Sequence, residues 1–477
     1  MPILIHNTLT RKLEEFKPIK ASEARMYVCG VTVYDECHLG HARSGFIFDF
    51  IRNYLGYRGY KVTFVKNITD VDDKIINRAR AEVADKNSRL HGIDLNEAVK
   101  EIARRYTESF YGDMASLGIA KADKEPKATE HIKEIIKMIA ALIDKGYAYA
   151  AGGDVYFDVR KFGGYGKLSN QDKDQMLEGT RSETSEKKRD ALDFALWKSA
   201  KENEPEWDSP WGKGRPGWHI ECSAMSTKYL GDNFDIHGGG RDLIFPHHEN
   251  EIAQSECATG KPFANYWIHN GLLTIIGEKM SKSLGNYVSI KAVLARYPSD
   301  VLKIFFLGAH YSHPIDFTWE KMEAAKSGYE RFLVLLDKID RRLEGKGQVK
   351  AKNNAEIGGL KAAFEAGMDD NFNTPAALGA LFDLATAGNK ILDRNEDASV
   401  IKYLQSTLLE LAGVLGLRFK NASNGMSDNE IQKLVDARID AKKKRDFKES
   451  DRIREELGKN GIILEDDKGK TYWRRKI

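Results

Sequence analysis

Apolar positions along the chain fall into short runs in its first two-thirds and into one-sided stripes in its last third. Met26-Tyr27-Val28-Cys29, closed by Gly30, predicts a buried strand. A loop through Tyr34 leads to His38, and a helix is predicted from about Gly40 through Phe46, Phe48 and Ile51 towards Tyr54. Lys61 to Val65 predicts the next strand. Strand, helix, strand is the grammar of a parallel sheet. Helices are predicted over Asn96 to Leu117 and Thr129 to Lys145, and a strand over Asp154 to Asp158. Residues 160–215 read as irregular and rich in Gly, Lys, Ser and Pro, with a charged loop from Ser182 to Asp190. With the elements just before them they read as an insertion, roughly 118–215. The α/β pattern resumes at Phe234 to His237, where a Gly238-Gly239-Gly240 turn is expected, and again at Tyr266 to Ile268 and Leu272 to Ile275.

Beyond about residue 315 the period changes. Phe332, Leu333, Leu335, Leu336, Ile339 and Leu343 mark one face of a helix, and further helical stretches run through 360–367, 375–392 and 399–415. Linkers rich in Gly, Lys, Asn and Ser fall at 345–354 and 421–428. The pattern divides the chain into an α/β domain (1–315), a helical bundle (316–420) and a small C-terminal unit (421–477).

Composition narrows the class. The 477 residues are 42% hydrophobic, enough for sizeable cores. No apolar run approaches the ~18 residues of a membrane span, and the first residues lack the long apolar stretch of a signal peptide, which points to a cytoplasmic protein with no membrane partner. The net charge is only +3, yet from Lys433 onward there are 15 Lys/Arg against 10 Asp/Glu. That basic tail suits a polyanion, although a solvated charged helix has the same composition. Cys29, Cys37, Cys222 and Cys257 form no CxxC pair, so spacing alone announces no metal site.

Two short motifs carry chemistry. His38-Leu39-Gly40-His41 lies between a predicted strand and a predicted helix, where free N–H groups and the helix dipole favour anions. Two imidazoles can donate to phosphate oxygens, and Gly40 admits a nucleotide close to the backbone. Lys279-Met280-Ser281-Lys282-Ser283 sets two lysines around a hydroxyl-rich segment, suited to the charge on a departing pyrophosphate. Alone, the first matches many helix starts and the second many basic loops. Together, on either side of an α/β domain, they point to ATP-dependent activation of a carboxylate.

The pair resembles the signature of class I aminoacyl-tRNA synthetases, and the surrounding residues resemble the cysteinyl-tRNA synthetase family. These are Met26 to Gly30 with Thr32 to Asp35, Asn67-Ile68-Thr69-Asp70-Val71-Asp72-Asp73-Lys74, Arg215 to Cys222, Phe234 to Gly240, Phe245 to Glu251, Asp370 to Pro375 and the Trp473-Arg474-Arg475 ending. Leu39 stands where isoleucine is usual and Val31 where proline is common; neither change removes a polar group.

The resemblance implies a Rossmann-like catalytic domain with an insertion, then a helical bundle and a small anticodon-binding domain. It implies one Zn2+ per subunit on Cys29, Cys222, His247 and Glu251. The residues by themselves leave Cys37, Cys257, His248 and Glu249 equally available. It implies that Cys29, Thr69, Trp218 and His237 face substrate cysteine. His38, Gly40, His41, Gly239, Asp242 and Lys282 would meet ATP, which arrives with Mg2+. His38, His41, Lys279 and Lys282 are the catalytic candidates, and the implied partners are L-cysteine, ATP and tRNA(Cys), with a monomeric enzyme. A ligase that charges an amino sugar with cysteine would lack a tail such as 421–477, and a non-enzymatic tRNA-binding relative would have lost one of the two motifs.

Overall fold

The computed structural model describes residues 1–171, 187–275, 277–279, 287–419, 426–467 and 470–475. At its centre lie four parallel strands, β3 (Glu23–Thr32), β4 (Lys61–Thr69), β9 (Phe234–Gly240) and β10 (Ala264–Asn270), in the order β10-β9-β3-β4. The chain winds outward from β3 in one direction and from β9 in the other. The boundary between those two strands is therefore the switch point at which ligands collect beyond the strand ends. An N-terminal hairpin, β1 (Leu4–Asn7) and β2 (Lys12–Glu15), precedes the sheet; the sequence pattern had not announced it.

Helix α1 (Leu39–Tyr57) crosses from β3 to β4 and is apolar on nearly every side. Phe46, Phe48, Phe50, Ile51 and Tyr54 are all buried, as expected of a helix covered on both faces. One face meets β9, where a Cβ on Gly238 would come within 2.2 Å of the Phe48 ring. Gly238 to Gly240 thus belong to the strand itself rather than to a turn after it. Side chains cannot fit between β9 and its neighbours, so the glycines serve close packing. The opposite face of α1 joins a core that continues without a break through Phe306 and Leu335 to Leu411.

Between β4 and β9 the chain forms helices α2 (Asp73–Ala84), α3 (Leu95–Ser116) and α4 (Ile132–Asp144). A four-stranded antiparallel sheet follows: β5 (Ala148–Ala151), β6 (Asp154–Phe157), β7 (Phe194–Ser199) and β8 (Gly214–Pro216). The reading of 160–215 as irregular is corrected by β7 and β8. These strands stand between Gly- and Lys-rich loops, and their buried Trp197 and Leu196 belong to a core shared with α4. Helix α5 (Trp218–Leu230) then leads into β9, and α6 (Glu249–Thr259) links β9 to β10.

After β10, β11 (Leu273–Ile275) pairs antiparallel with β12 (Glu278–Lys279) and parallel with β13 (Ile315–Phe317). Between β12 and β13 lie α7 (Ile290–Leu294) and α8 (Ser299–Leu307). Four longer helices make the bundle: α9 (Trp319–Leu343), α10 (Ala355–Asp369), α11 (Thr374–Asp393) and α12 (Ala398–Val414). The chain closes with α13 (Asp428–Lys443), α14 (Phe447–Lys459) and the hairpin β14 (Ile462–Asp467) and β15 (Lys470–Arg475), around a separate core of Ile431, Val435, Ile453, Leu457 and Ile462.

Candidate active site

The site begins with an irregularity in β3. The strand pairs regularly with β4 up to Val28, loses register, and resumes at Val31. Such a bulge re-aims the side chains on it. It exists because Gly30 sits against Asn67: the Gly30 N–H donates to Asn67 Oδ1 at 2.8 Å, and a Cβ there would lie 1.6 Å from the Asn67 carbonyl oxygen. Cys29, beside this glycine, turns towards α5 and α6.

There it meets three other donors. Cys29 Sγ lies 3.7 Å from Cys222 Sγ, 3.4 Å from His247 Nε2 and 3.1 Å from Glu251 Oε1. His247 Nε2 and Glu251 Oε1 are 3.0 Å apart. All four ligand atoms lie within 4.8 Å of one another and all four residues are buried. Cys222 comes from the first turn and a half of α5. His247 comes from a wide turn, Ile244–His248, and Glu251 from α6. These separations match the edges of a tetrahedron with bonds of about 2.0–2.3 Å, and thiolate, imidazole and carboxylate are ordinary metal donors. Two thiols 3.7 Å apart are too far for a disulfide bond and close enough to share one ion. The donor set fits a metal.

A second grouping, Cys29, His237, His248 and Glu251, overlaps the first. In it His237 Nε2 is already engaged with the other carboxylate oxygen, Glu251 Oε2, at 2.9 Å. His237 therefore holds Glu251 through Oε2 and leaves Oε1 for the cluster. His247 is held likewise through its other nitrogen, 2.8 Å from His219 Nδ1. Burial opposes ionisation of Glu251, yet His237 and His247 hold its carboxyl well below the usual range. Burial also opposes a thiolate at Cys222, but the Cys29 thiol and His247 lower it, while burial and Cys222 push Cys29 up. Burial, then the neighbouring His247, push His219 far below the ordinary imidazole value, so it stays neutral.

Trp218 stacks on His247, with centroids 4.3 Å apart, and forms one wall beside the cluster. Thr69, at the end of β4, donates to Glu221 Oε2 at 3.1 Å. Burial, then the negative charge of Cys222, raises the Glu221 carboxyl well above its ordinary value. Asn67, His219 and Glu221 were given no role from the sequence, although all three lie inside runs already noted. A histidine and a glutamate on a helix that is otherwise buried are the signal that could have marked them.

His38 and His41 sit at the start of α1 with rings stacked at 3.8 Å. Gly40 N donates to His38 Nδ1 at 3.1 Å, and His38 N donates to His41 Nδ1 at 3.3 Å. A neutral imidazole whose Nδ1 accepts carries its proton on Nε2. Each histidine thus offers an Nε2–H donor at a helix N-terminus. Gly239 is enclosed by His248, whose Cε1 a Cβ there would approach to 2.7 Å, and the exposed Asp242 follows in a short turn. Lys279 is the last residue of β12, its backbone paired with Thr274. Met280, Ser281, Lys282 and Ser283 lie outside the described residues.

Three family models match consecutive parts of the chain: the class I (C) tRNA synthetase catalytic domain over residues 15–327, the DALR domain over 363–420, and the cysteinyl-tRNA ligase anticodon binding domain over 427–474. A cysteine–tRNA ligase from Thermodesulfovibrio yellowstonii is 49% identical over 99% of both chains, and one from Geobacillus thermodenitrificans is 50% identical over 99% of both. This chain belongs to the cysteine–tRNA ligase family. Like that family it is an α/β enzyme of the class I aminoacyl-tRNA ligases. Its fold is shared with methionyl-tRNA synthetase from Mycobacterium tuberculosis, solved with methionyl-adenylate. That match has a TM-score of 0.57 and 14% identity, covering 82% of this chain and 89% of the other. No described helix is long and apolar enough to cross a membrane.

Proposed function

We propose that this chain joins L-cysteine to the 3′ end of tRNA(Cys) for protein synthesis, in two steps. The cysteine carboxylate attacks the α-phosphate of ATP, forming cysteinyl-adenylate and releasing pyrophosphate. A terminal ribose hydroxyl of the tRNA then attacks the mixed anhydride and AMP leaves. No protein nucleophile is needed; positioning and charge stabilisation carry the rate. His38 and His41 donate from Nε2 to phosphate oxygens, and Gly40 lets the nucleotide lie against the helix start. Gly239 and Asp242 lie on the adenosine side. Lys279 and Lys282 stabilise the departing pyrophosphate, whose Mg2+ arrives with ATP.

Cys29, Cys222, His247 and Glu251 hold the metal, assigned here as one Zn2+. It supplies a soft centre that accepts a thiolate in preference to a hydroxyl. Trp218, Thr69 and His237 line the pocket around the substrate side chain. Residues 421–477 read the anticodon, and the bundle 316–420 supports the tRNA; the enzyme acts as a cytoplasmic monomer. Support comes above all from one observation: four metal donors from three separate segments meet at the switch point of the sheet. Shape alone separates small substrates by only about 1–3 kcal/mol, so a thiol-selecting centre explains how serine is rejected without an editing domain. The test is pyrophosphate exchange with cysteine and with serine, before and after zinc removal. Exchange is expected with cysteine only and is expected to be lost with the metal. Undiminished exchange in the metal-free protein defeats the assignment.

A further inference from the structure

Two residues beyond His41, helix α1 carries Arg43, which is 1% exposed. All its hydrogen-bond partners among the described residues are main-chain carbonyls. Nη1 donates to Gly271 O at 2.8 Å and to Leu272 O at 2.9 Å. Nη2 donates to His313 O at 2.6 Å, with Tyr311 O at 3.4 Å and His310 O at 3.5 Å. A buried guanidinium is costly: both Nη groups of Arg43 are satisfied, Nε has no partner among the described residues, and packing alone would be served as well by an apolar side chain. The planar fork is what allows one side chain to grip two backbone segments at once.

Those segments are the entrance to the β11–β12 hairpin and the stretch leading into β13. They cross tightly. Gly271 N donates to Tyr311 O at 2.9 Å and Ile315 N to Leu272 O at 3.0 Å. A Cβ on Gly271 would lie 2.2 Å from His313 O. From this crossing β11 runs directly to its pairing with β12, which ends at Lys279. The chain that returns after residue 286 is also held at the start of α1. Leu39 N donates to Val288 O at 3.4 Å, His38 bridges Ser289, and the Tyr287 hydroxyl donates to the Glu36 and Cys37 carbonyls at 3.1 and 3.0 Å. The stretch from Glu36 to Arg43 thus carries both histidines and contacts the described chain on either side of residues 280–286.

We infer that Arg43 is a positioning residue for adenylate formation, setting the β11–β12 hairpin against the start of α1, where His38 and His41 lie. The inference rests on the proposed function for its chemistry, but the anchoring can be read without it. The test uses the full-length, zinc-loaded chain carrying Arg43→Lys. Adenylate formation is measured as a burst, so that active sites are counted and the rate is expressed per site. The expected result is a rate about 10- to 100-fold lower per active site, with the KM for cysteine unchanged. Gly271→Ala opens the same crossing from its other side and is expected to give the same split. The double variant is expected to be no worse than the more affected single one.

A purely structural role predicts fewer active sites, each turning over within about twofold of the parent, and that result overturns the inference. Amide exchange gives a readout independent of the reaction. The Gly271 and Ile315 amides are expected to lose protection in Arg43→Lys while Val65, in the core strand β4, keeps it. Unchanged protection at Gly271 and Ile315 overturns the anchoring. If the parent chain shows no exchange with cysteine, the proposed function falls and the adenylate role of Arg43 falls with it, while the amide measurement still decides whether Arg43 anchors the crossing.

Discussion

Single residues set the geometry of this site, and glycine is the plainest case. Gly30 leaves no room for a side chain, whereas Gly359, on an exposed face of α10, has nothing within 4 Å of its would-be Cβ. Gly30→Ala is expected to destabilise the protein by about 1–3 kcal/mol and to lower its metal content, as measured by thermal melting and metal analysis. Gly359→Ala is expected to stabilise it by about 0.5–1 kcal/mol with full metal content. The donors themselves were only partly legible. Four cysteines and the His247–Glu251 run were visible, but nothing in their spacing chose Cys29 and Cys222 over Cys37 and Cys257. Those two thiols are also buried, and burial pushes both up to about 12 as it pushes up Cys29; what sets them apart is that, among the described residues, neither stands in a cluster of metal donors. The distinction depends on the bulge in β3 and on which face of α5 points inward, and both are tertiary facts.

Among the elements, those with strong local periodicity could be read and those sustained by neighbours could not. Strand β4 announces itself through Val62, Phe64 and Val65, and helix α1 through Phe46, Phe48, Ile51 and Tyr54. Helix α2 is highly charged, and β5 and β7 are short strands completed by pairing, so propensity was outweighed by loops rich in Gly and Lys. The C-terminal unit depends on charge at one place. Asp466, in β14, accepts from Arg438, Lys442 and Thr471, and these partners hold its carboxyl far below the usual range. Arg438, in α13, is almost fully buried. A depressed carboxyl contributes stability above its unfolded value of about 3.9 and loses it as pH falls further. Asp466→Asn is expected to weaken amide protection of residues 426–467 at pH 7, by less than about 1 kcal/mol because Asp466 is half exposed. The difference from the parent should shrink steadily below about pH 4. A difference that does not depend on pH would show that the carboxylate charge is not what counts.

At the scale of the whole molecule, the apolar cores are uneven. The largest runs from the parallel sheet through α1 into the bundle, the insertion with α4 has a core of its own, and a smaller one is confined to the last fifty or so residues. A chain ending at Phe419 keeps the larger core whole. It is expected to form adenylate at about the parent rate and to charge tRNA far more slowly; a comparable loss in both reactions would contradict that division. The unbroken core also fixes how the protein should melt. Catalytic region and bundle share one apolar interior, so neither can lose its packing while the other keeps it. Calorimetry should therefore show one large cooperative transition for the parallel sheet, α1 and the bundle together, with a smaller one for the tail, and a single melting temperature would not describe this molecule. The bundle is then no appendage to the enzyme but the far wall of its interior, and heat that loosens α12 unseats helix α1, with the histidines at its start, in the same event.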